Sequence, residues 1–101
     1  MLIIGEKLNS ARKQVREMIE NRDVKSIQDL AKKQVEGGAE MLDVNSSAAS
    51  GDKEENMEWL VKTVQEAVDV HLYFTIAGNN LSIFSFSPVI ELIKALPLSQ
   101  L

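Results

Sequence analysis

Short apolar runs alternate along the first 76 residues with longer stretches in which apolar positions recur every three or four residues. The runs predict three β-strands, at 2–4, 40–45 and 72–76. The periodic stretches predict amphipathic helices, at about 11–20, 24–37 and 52–69. Strands that alternate with helices pair in parallel through right-handed crossovers, so the pattern predicts an α/β fold with the strands in the order one, two, three.

The first two strands differ in pattern. The run at 2–4 is apolar at every position, which predicts a strand that is buried on both faces. The second strand alternates, with Asp43 and Asn45 on one face and Leu42 and Val44 on the other. In a barrel, Leu42 and Val44 would face the helices, while the two polar side chains would point into the mouth.

Polar residues at the strand ends are the candidate site residues, because ligands of parallel α/β folds bind at the carboxyl ends of the strands. Asp43 and Asn45 close the second strand, and Glu6 and Asn9 follow the first run. A carboxylate beside an amide can hydrogen-bond a heterocycle with mixed donors and acceptors, such as a pterin. An aspartate at a strand end is about as often a helix cap or a loop anchor, so spacing leaves both roles open.

Composition narrows the class of protein. The 101 residues are 45% hydrophobic and 26% charged, which is ordinary for a soluble globular chain. A net charge of −4 argues against a nucleic-acid or anionic-membrane surface. The absence of cysteine excludes disulfides and thiolate chemistry, and the chain has no cysteine or second histidine to join His71 in a metal site. With no apolar run near the length of a membrane span, we expect a cytoplasmic protein without a metal site.

The character of the sequence changes near residue 71. From there to the end only Glu91 and Lys94 are charged, and four of the five aromatic residues lie in this part. We therefore predict a first domain at 1–77 and a divergent tail at 78–101, with a possible short helix near 88–95 that begins at Pro88.

Three segments resemble the methyltetrahydrofolate:corrinoid methyltransferases, and the similarity covers about residues 1–70. Met1 to Asn9 resembles that family's opening strand and loop, and Gln34 to Asn45 its second strand with the turn before it. The stretch 52–66 resembles the helix that follows. The related dihydropteroate synthases have a glycine-rich loop where this chain has Asn45-Ser46-Ser47, so they are the more distant match. The folate-binding module of cobalamin-dependent methionine synthase resembles the opening as well.

The resemblance implies the N-terminal β-α-β-α-β portion of a (β/α)₈ TIM barrel, incomplete because such barrels have about 250 residues. It implies binding of methyltetrahydrofolate in the barrel mouth and transfer of the methyl group from N5 to the cobalt of a cobalamin or other corrinoid on a partner protein. Asp43 and Asn45 would line the pterin mouth, and Glu6 and Asn9 would shape its floor or first loop. It also implies a homo-oligomer for the intact family.

One departure from the family concerns the third strand, which in the relatives ends in an Asp-Ser pair. Aligned without gaps, this pair falls on Thr75-Ile76, and neither residue replaces a carboxylate. We therefore expect the chain alone not to catalyse methyl transfer. The alternative to an enzyme is a non-catalytic chain, either a truncated or frameshifted α/β fragment or a small α/β protein that assembles with another chain.

A frameshift near residue 71 predicts a definite nucleotide sequence. If Thr75, Ile76 and Ala77 are encoded by ACG, ATA and GCN, reading from the last G of the first codon gives GAT and AGC, which encode Asp-Ser. Sequencing the gene tests this. A second frame that lacks Asp-Ser, or that meets a stop codon at once, contradicts the frameshift and makes the tail a genuine ending.

Overall fold

The computed structural model describes the backbone of residues 2–76 and 79–83, and the side chains of residues 2–73. The elements are, in chain order, β1 (Ile4–Asn9), α1 (Lys13–Glu20), α2 (Val24–Glu36), β2 (Met41–Asn45), α3 (Lys53–Gln65), β3 (His71–Ile76) and β4 (Asn79–Ile83). The α/β class predicted from the sequence is confirmed.

The strands form one sheet in the order β1-β2-β3-β4. The first three are parallel, as predicted, and β2 pairs with β3 from Met41–His71 to Val44–Phe74. The fourth strand was not predicted. It runs antiparallel to β3, from Ile76–Asn79 to Leu72–Ile83, whereas neighbouring strands of a (β/α)₈ barrel are parallel.

The predicted division at residue 77 stays a prediction. Residues 79–83 pair with β3 in the same sheet, so at least this part of the tail joins the strands before it. The possible helix near 88–95 lies outside the described residues.

The core lies between the sheet and the three helices. Each strand of the parallel part contributes to it at fully buried positions, which are Leu8, Leu42, Val44 and Leu72. The helices cover them with Val15, Ile19, Ile27, Ala31, Leu60, Val61 and Val64. Burial of one such aliphatic side chain contributes about 1.5–3 kcal/mol, so this single layer holds the helices against one face of the sheet. Leu42 and Val44 therefore face the helices, as the alternation of the second strand predicts.

Carboxylates begin two of the helices. The Asp23 side chain accepts a hydrogen bond from the Ser26 amide before α2, at 3.2 Å, and Asp52 accepts one from the Glu55 amide before α3, at 2.9 Å. Both satisfy amides that have no partner within their own helix. The third helix ends at Gln65, earlier than the predicted residue 69.

The prediction of a first strand at 2–4, buried on both faces, is wrong. The strand begins at Ile4 and continues to Asn9, and Leu2, Ile3 and Ile4 are 56%, 46% and 43% exposed. β1 is an edge strand that pairs only with β2 among the described strands, and the helices cover only one of its faces.

A β-bulge decides which residue of β1 enters the core. Gly5 lies opposite Leu42, and Leu8 lies opposite Val44. Between these two pairs β1 advances by three residues and β2 by two, so β1 contains one extra residue. The extra residue reverses the alternation of side chains along β1. It therefore turns Leu8, rather than Lys7, onto the face that the helices cover.

Gly5 has no room for a side chain. A Cβ atom there would lie 2.5 Å from Gln34 Oε1 and 2.8 Å from Leu42 Cδ2, and Gln34 Oε1 accepts a hydrogen bond from the Lys7 amide. We expect Gly5→Ala to lower the free energy of unfolding by about 1–3 kcal/mol, because the methyl group must displace packed atoms.

The control for this substitution is Gly37→Ala. Gly37 has φ −79°, and the nearest atom to an added Cβ is the Lys33 carbonyl oxygen at 3.3 Å. Urea unfolding followed by circular dichroism should show a change within about 0.5 kcal/mol for this variant. Equal effects of the two substitutions would contradict the close packing at Gly5.

The exposed apolar residues at the start of β1 predict self-association, since an unpaired apolar strand edge promotes pairing between chains. Ile4→Lys should reduce the concentration dependence of the sedimentation coefficient. Val24→Lys is the matched control, because Val24 is 42% exposed and lies at the start of α2, away from the edge. A wild-type chain that stays monomeric at high concentration contradicts the prediction.

Candidate functional site

The four residues singled out by the sequence lie on β1 and β2. Asn9 and Asn45 are the last residues of their strands and pair in register. Asp43 and Asn45 are half-buried, and Leu42 and Val44, which alternate with them along β2, are fully buried. The predicted alternation of the second strand is therefore present, with its polar side chains on the face opposite the helices.

Asn9 anchors the loop that follows β1. Its Oδ1 accepts a hydrogen bond from the Ala11 amide at 2.9 Å. The loop then leads to α1, which begins at Lys13 after Arg12 and has no side-chain cap. Asn9 and Ser10 are residue types typical of a helix cap, but neither side chain caps α1, because Asn9 binds Ala11 and Ser10 binds Asn45 and Ala48.

Asn45 anchors the loop that follows β2. Its Oδ1 accepts hydrogen bonds from the Ser47 amide at 2.9 Å and the Ser47 hydroxyl at 2.7 Å. The Ser10 hydroxyl is a third and longer donor to the same oxygen, at 3.4 Å. The carboxamide oxygen thus points into the loop.

Ser10 joins the two loops. It is fully buried, its amide donates to the Asn45 carbonyl oxygen at 2.8 Å, and its hydroxyl accepts from the Ala48 amide at 2.9 Å. A buried hydroxyl needs partners of this kind to offset its loss of water. Sequence reasoning missed this role, since Ser10 is adjacent to Asn9 in a segment typical of a helix cap.

Side chains of α1 and α3 bind the end of the loop that follows β2. Glu20 Oε2 accepts from the Ser50 amide at 2.7 Å, and the buried Asn56 donates through Nδ2 to the Ser50 carbonyl oxygen at 3.1 Å. Hydrogen bonds from Ser50, together with the charge of Arg16, keep the pKa of Glu20 below its ordinary value. The loop is therefore tied to α1 and α3 as well as to β1.

Asp43 lies in a less favourable place for a charge. Burial raises the pKa of its carboxyl group, and the negative charge of Glu6 raises it further. Tyr73 of β3 lies opposite Asp43 in the register and is half-buried. Parallel in-register residues share a face, so the sheet brings a carboxylate and a phenol together, and the sequence alone gave no signal for Tyr73.

The single tryptophan has a structural role. Trp59 is partly buried against the core, and the Arg22 guanidinium lies over its ring at 5.1 Å. Within the described residues, no cluster of three or more His, Asp or Glu side chains is arranged to hold a metal ion. No helix in the described part of the chain is long and apolar enough to cross a bilayer.

Comparison with known proteins identifies the family. The model of the family described as pterin binding enzyme matches residues 5–90, a range that extends past the proposed boundary at residue 77. A methylcorrinoid:tetrahydrofolate methyltransferase from Eubacterium limosum is 43% identical over 72 residues, which are 71% of this chain and 27% of that protein. Its name gives the methylcorrinoid as the methyl donor. The resemblance to pterin-dependent corrinoid methyltransferases is confirmed, and the chain belongs to the pterin-binding enzyme family.

Proposed function

We propose that the chain is the N-terminal, pterin-contacting part of a methyltransferase that moves a methyl group between tetrahydrofolate and a corrinoid protein. The observation that carries the proposal is the pair Asp43 and Asn45, which lie on one face of β2 at the carboxyl end of a parallel sheet. The family match makes a pterin the heterocycle that such a pair would bind. The chain spans about a quarter of the length of the curated relative, so the activity of the whole relative enters only as part of this proposal.

The donors and acceptors of the site fit a pterin. An ionised Asp43 accepts two hydrogen bonds side by side, which suits the ring N–H and exocyclic amino group of the heterocycle. Asn9 borders the same strand end, Glu6 lies within β1 where its charge acts on Asp43, and Tyr73 would add a flat surface. In this proposal the barrel residues bind and orient the pterin, and the corrinoid carried by a partner protein supplies the cobalt chemistry.

The direction of transfer does not change the demands on these residues. The expectation from the sequence was transfer from methyltetrahydrofolate to the corrinoid, and the relative's name has the opposite direction. Both directions pass through the same transition state, in which N5 of the pterin gains or loses the methyl group. The groups that orient the ring in one direction therefore orient it in the other.

A non-catalytic role is the second candidate. The specific observation in its favour is Thr75-Ile76 in place of the family's Asp-Ser pair. Such a chain would keep the pterin-contacting end of β2 without the remaining contacts.

A dihydropteroate synthase-like or methionine synthase-like module is the further alternative. A cytoplasmic location, a homo-oligomeric state and a corrinoid partner also belong to the proposal.

Binding of methyltetrahydrofolate by the purified chain tests the proposal. Isothermal titration should give saturable binding, and Asp43→Asn should weaken it about tenfold, because hydrogen bonds to a charged acceptor are lost. Asp29→Asn, on the exposed surface of α2, is the control and should bind like the wild type. Equal affinities of the Asp43 and Asp29 variants would contradict a pterin contact at Asp43. In a separate activity assay, methylation of a corrinoid by the chain alone would contradict the non-catalytic candidate.

Asp43→Asn should also stabilise the fold in a pH-dependent manner. The pKa of Asp43 is raised in the folded state, so its charge disfavours folding above that pKa. As pH falls to below the pKa of an unfolded aspartate, the carboxyl is protonated in both states and the difference disappears. We expect a gain within about 0.5 kcal/mol at pH 7 and none at acidic pH, measured by urea unfolding. A loss of stability at pH 7 would show that Asp43 is a structural residue.

A further inference from the structure

The two polar residues of β2 differ in which hydrogen-bonding groups they leave for a ligand. The Oδ1 atom of Asn45 already accepts from the amide and the hydroxyl of Ser47 and from the hydroxyl of Ser10. A carbonyl oxygen has two lone pairs, so three donors leave it no capacity for a further one. The amide of Ser47 is a donor in every protonation state, which fixes the oxygen, and not the nitrogen, of the carboxamide on the loop side.

The direction of the Ser10 hydroxyl follows from its partners. The Ala48 amide donates to Ser10 Oγ at 2.9 Å, and this contact uses an oxygen lone pair. The hydroxyl proton is then available for Asn45 Oδ1 at 3.4 Å. Ser10 is fully buried, so water does not compete for either contact. The Ser10 hydroxyl therefore accepts from Ala48 and donates to Asn45. We call these two hydrogen bonds the Ser10–Asn45 relay.

The Nδ2 group of Asn45 is the part of this side chain that remains for a ligand. Within the described residues it donates no hydrogen bond, and Asn45 is half-buried on the face it shares with Asp43. We propose that the amide and hydroxyl of Ser47 fix Asn45 as a hydrogen-bond donor, and that Ser10 is a positioning residue that supports this orientation from the neighbouring loop. This position would then select an acceptor atom on the bound heterocycle. The inference rests on the proposed function for the identity of that heterocycle.

The assignment divides the recognition between the two residues of β2. Asp43 carries the acceptor oxygens, and Asn45 carries N–H groups only. In a reduced pterin the matching acceptor is the ring carbonyl oxygen or an unprotonated ring nitrogen. A heterocycle whose corresponding edge offers only donors would leave Asn45 Nδ2 desolvated without a partner, which weakens binding.

Asn45→Asp separates the donor from the loop anchor. An aspartate keeps an oxygen for the Ser47 amide and hydroxyl, so the loop is retained, but the N–H donors are lost. We expect methyltetrahydrofolate to bind the variant about tenfold more weakly or worse, in a buffer in which circular dichroism shows that the variant is folded. Asn21→Asp, which adds the same charge at the exposed end of α1, is the control and should bind like the wild type. Wild-type affinity in Asn45→Asp would overturn the donor assignment.

Ser10 is tested first without ligand. In Ser10→Ala the Ala48 amide loses its acceptor, so its hydrogen exchange should be about tenfold faster, while exchange at the core amides of Leu42 and Leu60 stays as in the wild type. The Asn45 side-chain amide resonances should also shift. Ser10→Thr keeps the hydroxyl and should restore slow exchange at Ala48. If Ser10 only filled space, the presence of a hydroxyl would make no difference to the exchange rate.

A second test of Ser10 measures the affinity of the variants for methyltetrahydrofolate. Ser10→Ala should weaken methyltetrahydrofolate binding severalfold, by about the effect of one neutral hydrogen bond, and Ser10→Thr should recover it. Unchanged affinity and unchanged Ala48 exchange in Ser10→Ala would overturn the positioning role. A wild-type chain that does not bind methyltetrahydrofolate contradicts the proposed function, and the exchange rates and side-chain resonances then decide the Ser10–Asn45 relay by themselves.

Discussion

The pleat of β2 is the constraint on which both the core and the candidate site depend. Leu42 and Val44 are fully buried against the helices, and Asp43 and Asn45 alternate with them on the opposite face. Since the side-chain period of a strand is two residues, a slip of one residue would expose the core pair and bury the carboxylate. The hydrophobic burial that fixes the register therefore also sets the position of each polar group at the strand end.

The site and the fold place opposite demands on Asp43. Its charge is disfavoured by burial and by Glu6, so the fold gains nothing from keeping a carboxylate at this position. Glu20 is the contrasting case, because its carboxylate accepts a hydrogen bond from Ser50 that favours the charged form. The raised pKa of Asp43 reflects a position where burial and a like charge oppose ionisation, and the lowered pKa of Glu20 reflects its hydrogen bonds to the loop.

Much of the fold could be predicted from periodicity, and the exceptions have local causes. The alternation in β2 and the stripes of α2 and α3 come from packing against one sheet face, which sequence patterns record directly. The first strand was misplaced because a bulge reverses the alternation of β1, and nothing in the letters from Gly5 to Leu8 marks an extra residue. The strand at 79–83 was missed because an antiparallel neighbour breaks the strand-helix alternation on which the prediction depended.

The placement of Asp43 and Asn45 on one face of β2 could be predicted from the sequence, but the orientation of the Asn45 carboxamide could not. The family resemblance pointed to Asp43 and Asn45, and the structure brings them to one face. Ser47 donates to the oxygen of Asn45 from two residues away, whereas the third donor, Ser10, is 35 positions away in the chain. A hydrogen bond between such distant residues requires the register of two strands and the path of two loops, and no local pattern carries that information.

The antiparallel strand β4 has a consequence for how this sheet can grow. It occupies the backbone hydrogen-bonding groups on the side of β3 that faces away from β2. A further parallel strand, whether from the same chain or from another, would have to displace β4 before it could pair with β3. Completion of a closed cylinder from this end would therefore be an exchange reaction between two strands that compete for one edge, with a barrier set by the ladder from Leu72–Ile83 to Ile76–Asn79.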